Sequence, residues 1–124
     1  MKILVADDDL IFLTLMTSIL TDGGHEVLEA ENGLVAWQRL QAEGADLVIL
    51  DINMPEMDGR EFLKLMMADD RFKHLPVLVL TVGFMAEDIV QAYASSSTLD
   101  YITKPFNADA LLLKVQELEK RITG

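Results

Sequence analysis

Apolar positions change period several times along the chain. KILVA (2–6) is a short apolar run with β-branched residues, the pattern of a buried strand. Residues 10–22 then place Leu13, Met16, Ile19 and Leu20 at helical spacing, and DGGH (22–25) stops that helix. EVLEA (26–30) alternates weakly and predicts a strand nearer a sheet edge. NG (32–33) opens a helix carrying Ala36, Trp37 and Leu40, closed near Gly44. DLVILD (46–51) is again a buried strand, followed by a loop to Asp58. DGRE (58–61) has the form of a capping box, with an acid at the N-cap and Glu61 three residues on. The helix it starts carries Phe62, Leu65 and Met66. PVLVLT (76–81) predicts a strand, 85–95 a helix, LDYIT (99–103) the last strand, and 108–122 a final helix with Asn107 as N-cap.

The order is βαβαβαβαβα, an α/β chain of five βα units. Strands that are apolar throughout, separated by amphipathic helices, predict a doubly wound parallel sheet with helices on both faces. Such sheets carry their sites outside the carboxyl ends of the strands. At 124 residues the chain predicts a single domain spanning 1–124.

Composition narrows the function. With no cysteine, thiol catalysis, disulfides and Cys-ligated zinc are excluded, and a cytoplasmic setting is expected. No apolar run approaches the ~20 residues of a membrane span, so no membrane role is expected. A net charge of −11 opposes DNA phosphate, so no nucleic-acid binding by this domain is expected. His25 and His74 each lack a second histidine at ligand spacing.

The predicted strand ends locate the chemistry. The first strand ends in Asp7, Asp8 and Asp9, the third in Asp51, the fourth in Thr81, and the fifth in Thr103-Lys104-Pro105. Asp9 is most simply an N-cap for the helix it precedes. Asp51 has no such ordinary explanation, because an acid after Leu47-Val48-Ile49-Leu50 loses solvation unless it is paired or metal-bound. One lysine cannot neutralise the converging carboxylates, and a divalent cation can. All-oxygen donors without His or Cys favour Mg²⁺, or Mn²⁺. A carboxylate beside a metal, with an ammonium and a hydroxyl opposite, suits phosphoryl transfer with Asp51 as nucleophile and Asp7 and Asp8 as metal clamp.

At ILVADDD (3–9), LVILDINMPEMDG (47–59), VLVLT (77–81) and YITKPF (101–106) the chain resembles the receiver domain of two-component response regulators, over essentially its whole length. The resemblance implies the flavodoxin-like strand order 2-1-3-4-5. It implies Asp51 as phosphoryl acceptor. Asp8, Asp51 and the Asn53 carbonyl would hold Mg²⁺, with Asp7 acting largely through water. Lys104 and the Val82 N–H would contact phosphoryl oxygens, Thr81 would be the switch hydroxyl, and Tyr101 the switch aromatic. The Lys104-Pro105 bond is expected to be cis. The implied donor is a phosphohistidine on a sensor histidine kinase or histidine phosphotransfer protein, and the reader a downstream output domain or protein. The chain is then a regulatory phosphoacceptor that assists its own phosphorylation and dephosphorylation, rather than an enzyme with a separate substrate.

Two stretches depart from the family pattern. Val82 stands where Ala or Gly is usual, and ASSSTLDY (94–101), with Ser95–Ser97, replaces a Gly-Ala pair. The second puts dimerisation through the face of the fourth and fifth helices and last strand in question. Not all of Leu10, Ile11 and Leu15 can face the core with Leu13 and Met16. Ile11 and Leu15, with Pro105 and Phe106, are expected to form an apolar docking patch for the donor. Two other functions compete with this one: a receiver-like interaction module acting without phosphorylation, and a Mg²⁺ phosphatase of the haloacid-dehalogenase kind. The latter wants D-x-D on the first strand, where this chain has contiguous acids.

Overall fold

The computed structural model describes every residue except Asn53, Pro55, 82–98, Pro105 and Gly124, with backbone alone at Thr81, Ile122 and Thr123. Its strands are β1 (Lys2–Ala6), β2 (Glu26–Ala30), β3 (Leu47–Asp51), β4 (Val77–Thr81) and β5 (Leu99–Thr103). Its helices are α1 (Leu10–Asp22), α2 (Gly33–Glu43), α3 (Gly59–Met67) and a last helix, Ala108–Thr123. The helix expected over 85–95 lies outside the described residues. The strands form one sheet in the order β2-β1-β3-β4-β5, with all neighbours parallel. Both the α/β class and the strand order expected from the sequence are therefore present.

Strand alternation divides the core into two layers. Leu4, Ala6, Leu28, Ala30, Val48, Leu50, Val77 and Val79 point to the face covered by α2 and α3, where Ala36, Leu40, Phe62, Leu63 and Met66 meet them. Ile3, Val5, Leu47, Ile49, Leu78, Leu80 and Ile102 point to the opposite face, covered by Leu13, Met16 and Leu20 of α1 and Leu111, Val115 and Leu118 of the last helix. Successive strand side chains face opposite sides. A strand covered on both sides must therefore be apolar at every position, which is why β1, β3 and β4 read as unbroken runs. β2 and β5 lie at the edges and keep exposed positions such as Glu26, Glu29 and Tyr101.

The helix ends follow the predicted caps. Asn32 accepts the Val35 N–H at 2.8 Å, Asp58 the Glu61 N–H at 2.9 Å, and Asn107 the Ala110 N–H at 2.7 Å. One expected core position changes. Leu65 is exposed, and the fully buried residues of α3 are Phe62, Leu63 and Met66. Trp37 is half-buried and sets its ring edge-on to Phe62 and Phe72 at 5.8 and 5.9 Å, joining α2 to α3 and the turn after it.

The topology positions the site. From β1 the chain crosses to β2 on one side, and from β3 it crosses to β4 on the other. The switch point therefore lies between the carboxyl ends of β1 and β3, where an open α/β sheet leaves a crevice.

Candidate functional site

The register builds the site from the backbone up. Ala6 is paired with Leu50, so Asp7, the residue after β1, and Asp51, the last of β3, come side by side at the switch point. Asp51 is also opposite Leu80, which sets Thr81 one step beyond it, and Thr81 is paired with Thr103, immediately before Lys104. Four segments distant in sequence are thus delivered to one sheet edge by pairing alone.

Asp7 and Asp51 are the two buried charged residues among those described, at 0% and 8% exposure, while Asp8 faces solvent. Asp7, Asp8 and Asp51 each present an oxygen, and the three oxygens lie within 4.8 Å of one another. Lys104 Nζ donates to Asp7 Oδ2 at 2.8 Å and stands 3.5 Å from Asp51 Oδ2. The other Asp7 oxygen accepts the Asp9 N–H at 2.9 Å. Asp9 caps α1 as expected, accepting the Ile11 and Phe12 N–H groups at 3.0 and 3.3 Å.

Burial pushes the Lys104 ammonium toward a lower pKa. The hydrogen bond to Asp7 and the charges of Asp51 and Asp7 outweigh that, and its pKa lies above the ordinary 10.5. The lysine is therefore charged throughout the physiological range. Lys104 meets the carboxylates of Asp7 and Asp51, and a third, that of Asp8, lies beside them.

The donor chemistry fits a hard divalent cation. The set is all oxygen and the oxygens are mutually close, the ligand type Mg²⁺ and Mn²⁺ take. Both Asp7 oxygens already accept hydrogen bonds, from the Asp9 N–H and from Lys104.

The loop after Asp51 is held by close backbone approach. Gly59 N–H donates to Ile52 O at 2.9 Å, and a Cβ on Gly59 would lie 2.6 Å from the Asp51 carbonyl oxygen. Glycine at 59 thus lets the start of α3 press against the backbone that carries Asp51. Gly33, at the start of α2, similarly leaves no room for a Cβ against the Met57 carbonyl. Glu56 takes a left-handed φ of 67°, a conformation that costs a non-glycine residue about 1–2 kcal/mol.

A model described as "Response regulator receiver domain" matches residues 3–116. The chain belongs to the response-regulator receiver family. It is 35% identical to chemotaxis protein CheY of Pseudomonas aeruginosa over 125 residues, covering 100% of both chains. It is 38% identical to CheY-3 of Vibrio cholerae over 123 residues, covering 98% of this chain and 94% of that one. Among solved structures, CheY4 of Vibrio cholerae matches with a TM-score of 0.85 at 33% identity, covering 94% of this chain and 97% of that one. The receiver domain of a histidine kinase from Syntrophus aciditrophicus matches with a TM-score of 0.82 at 29% identity, covering 94% and 88%. As a receiver domain it is a regulatory signalling module.

The receiver fold brings together Asp7, Asp8, Asp51 and Lys104, and places the Thr81 backbone beside them. Tyr101, on β5, is 39% exposed. Asn53, Val82, Pro105, the Lys104-Pro105 bond and Ser95–Ser97 lie outside the described residues. Leu10, Ile11 and Leu15 are exposed at 60%, 82% and 48% and, with Thr14 and Ser18, line a shallow apolar depression on α1. Phe106 is half-buried and packs on Phe12. Sequence reasoning missed Phe12, whose ring centroid lies 4.6 Å from Lys104 Nζ. Nothing in the apolar stretch LIFLTLM singles it out except that it is the aromatic. No described helix is long and apolar enough to cross a membrane.

Proposed function

We propose that this receiver is a phosphoacceptor switch in which Asp51 takes a phosphoryl group from a phosphohistidine of a sensor kinase or phosphotransfer protein. The observation that carries the reading is the cluster of Asp7, Asp8 and Asp51 oxygens within 4.8 Å, bridged by Lys104 at the switch point of the sheet. A surface salt-bridge network has no reason to bury two carboxylates on one ammonium with charge left over.

In the transfer, an Asp51 carboxylate oxygen attacks phosphorus. The new O–P bond forms as the N–P bond of the donor breaks, and the imidazole leaves with the electron pair. Phosphoryl transfer asks the protein chiefly for position and charge. The β1–β3 register fixes Asp51 beside Asp7, and Gly59 holds its backbone from below. Lys104 is pinned by its short bond to Asp7 and loosely held by Asp51, so it can pass to a phosphoryl oxygen with a small displacement. Asp8, Asp51 and the Asn53 carbonyl, with Asp7 acting largely through water, would hold Mg²⁺ or Mn²⁺, which would supply further neutralisation of phosphoryl charge.

The acyl phosphate then biases a two-state equilibrium. Thr81 and the Val82 N–H meet the phosphoryl group, and Tyr101 turns inward from its exposed position on β5. The changed surface is read by an output domain or protein, and hydrolysis resets it. The apolar face Leu10, Ile11 and Leu15 begins one residue after Asp9 and docks the donor's helices beside the acceptor. Incubation with Mg²⁺ and acetyl phosphate should add one phosphate by intact mass, and Asp51→Asn should add none. Wild-type-level labelling of the variant would remove Asp51 as acceptor. Ile11→Asp should slow transfer from the cognate phosphohistidine donor and leave labelling by acetyl phosphate unchanged. An unchanged donor rate would remove the docking face.

A further inference from the structure

Lys104 has a third partner besides its two carboxylates. Asp9 caps α1 at the Ile11 and Phe12 N–H groups, which fixes Phe12 in the first turn, above the carboxyl end of β1. The Phe12 ring lies under the Lys104 ammonium, 4.6 Å from Nζ to the centroid. Phe106, two residues after Lys104, sets its ring against Phe12 at 5.7 Å and 60°. Both rings are half-buried and pack on the cluster containing Ile3, Val5 and Leu13.

We propose that Phe12 is a positioning residue that holds the Lys104 ammonium at the phosphoacceptor, with Phe106 bracing the ring. This inference rests on the reading of Asp51 as acceptor. A lysine side chain is long and strongly hydrated, and without restraint it extends toward water. A third carboxylate would restrain it but would add negative charge where a phosphoryl group must arrive. An aromatic face attracts the ammonium through its quadrupole and adds no net charge. It also consumes none of the carboxylate hydrogen bonds. Asp7 at 2.8 Å and Phe12 therefore form the fixed side of the cradle. Asp51 at 3.5 Å is the side from which the ammonium can transfer.

The test compares Phe12→Leu with Phe12→Tyr, which keeps the aromatic face. In metal-free protein, the Lys104 ε-methylene proton resonance, assigned with Lys104→Met, should be shifted upfield by the ring in wild type and Phe12→Tyr, and should lose that shift in Phe12→Leu. At saturating Mg²⁺, the rate of labelling by acetyl phosphate should fall about two- to fivefold in Phe12→Leu and return to within about twofold of wild type in Phe12→Tyr. Mg²⁺ affinity should be unchanged or higher in Phe12→Leu, because a loosened ammonium competes less for Asp7 and Asp51. A purely packing role would lower rate and Mg²⁺ affinity together in Phe12→Leu, and that joint loss overturns the proposal. An unshifted Lys104 resonance in wild type overturns the proposal even if Phe12→Leu fails to fold. A wild-type rate in Phe12→Leu overturns it as well. If wild type takes no phosphate at Asp51, the functional reading fails, while the Lys104 resonance still decides whether Phe12 holds the lysine.

Discussion

Replacing Asp51 by Asn should make the metal-free protein more stable, although it deletes a partner of a buried lysine. At an effective dielectric near 20, the 3.5 Å approach of Asp51 to Lys104 is worth roughly 5 kcal/mol of gross attraction. Against it stand Asp7 and Asp8, whose oxygens lie within 4.8 Å, so each repels Asp51 by roughly 3.5 kcal/mol or more on the same scale. Asp8 is exposed and its share is screened, which brings the net gain from Asp51→Asn to about 1–2 kcal/mol. Lys104 keeps its shorter bond to Asp7, so no ammonium is stranded. For a domain of this size the gain is about 4–8 °C in Tm. The same substitution removes a metal ligand. Wild type should therefore gain about 2.7 kcal/mol at Mg²⁺ a hundredfold above its Kd, and Asp51→Asn much less. Urea denaturation in EDTA and in MgCl₂ should show the variant ahead without metal and the order closing or reversing with it. A variant less stable in EDTA by 1 kcal/mol or more, with wild type indifferent to Mg²⁺, would refute the charge argument.

Three further outcomes follow from particular contacts. Gly59→Ala places a Cβ 2.6 Å from the Asp51 carbonyl oxygen, and should cost about 1–3 kcal/mol in urea denaturation and slow phosphorylation through displacement of the Asp51 backbone. The raised pKa of Lys104 means that folding holds its proton more tightly than the unfolded chain does. Its contribution is fully present below the ordinary 10.5 and is lost as pH rises through its elevated folded value, so stability should fall in that alkaline window less in Lys104→Met than in wild type. Asp9→Ala removes the acceptor of two N–H groups and should cost about 1 kcal/mol, by thermal melting, with Asp51 still labelled.

The legible part of the fold was the part set by covering. β1, β3 and β4 are buried on both faces, so their apolar runs could be read as strands without knowing their neighbours. The acids could be read because a carboxylate at the end of such a run lacks an ordinary cause. Helix faces were harder. In α3 the pattern put Leu65 inward with Phe62 and Met66, whereas packing against the sheet buries Leu63 and leaves Leu65 exposed. In α1 the run LIFLTLM is apolar at every position but Thr14, so periodicity could not separate Phe12, whose ring meets Lys104, from the exposed Ile11. The roles of Gly33 and Gly59 depend on backbone segments brought close only in the folded chain. The unequal split of the Lys104 contacts, 2.8 Å to Asp7 and 3.5 Å to Asp51, likewise exists only in the folded chain.

The central claim is that Asp51 itself carries the phosphoryl group. Labelling with acetyl phosphate and Mg²⁺, reduction of the acyl phosphate with borohydride, and peptide mass mapping would read this directly. Reduction converts a phosphorylated aspartate to homoserine, so the account predicts homoserine at position 51 in wild type, dependent on both Mg²⁺ and acetyl phosphate. Homoserine at Asp7 or Asp8 instead, or an unmodified Asp51 after quantitative labelling elsewhere, would contradict it.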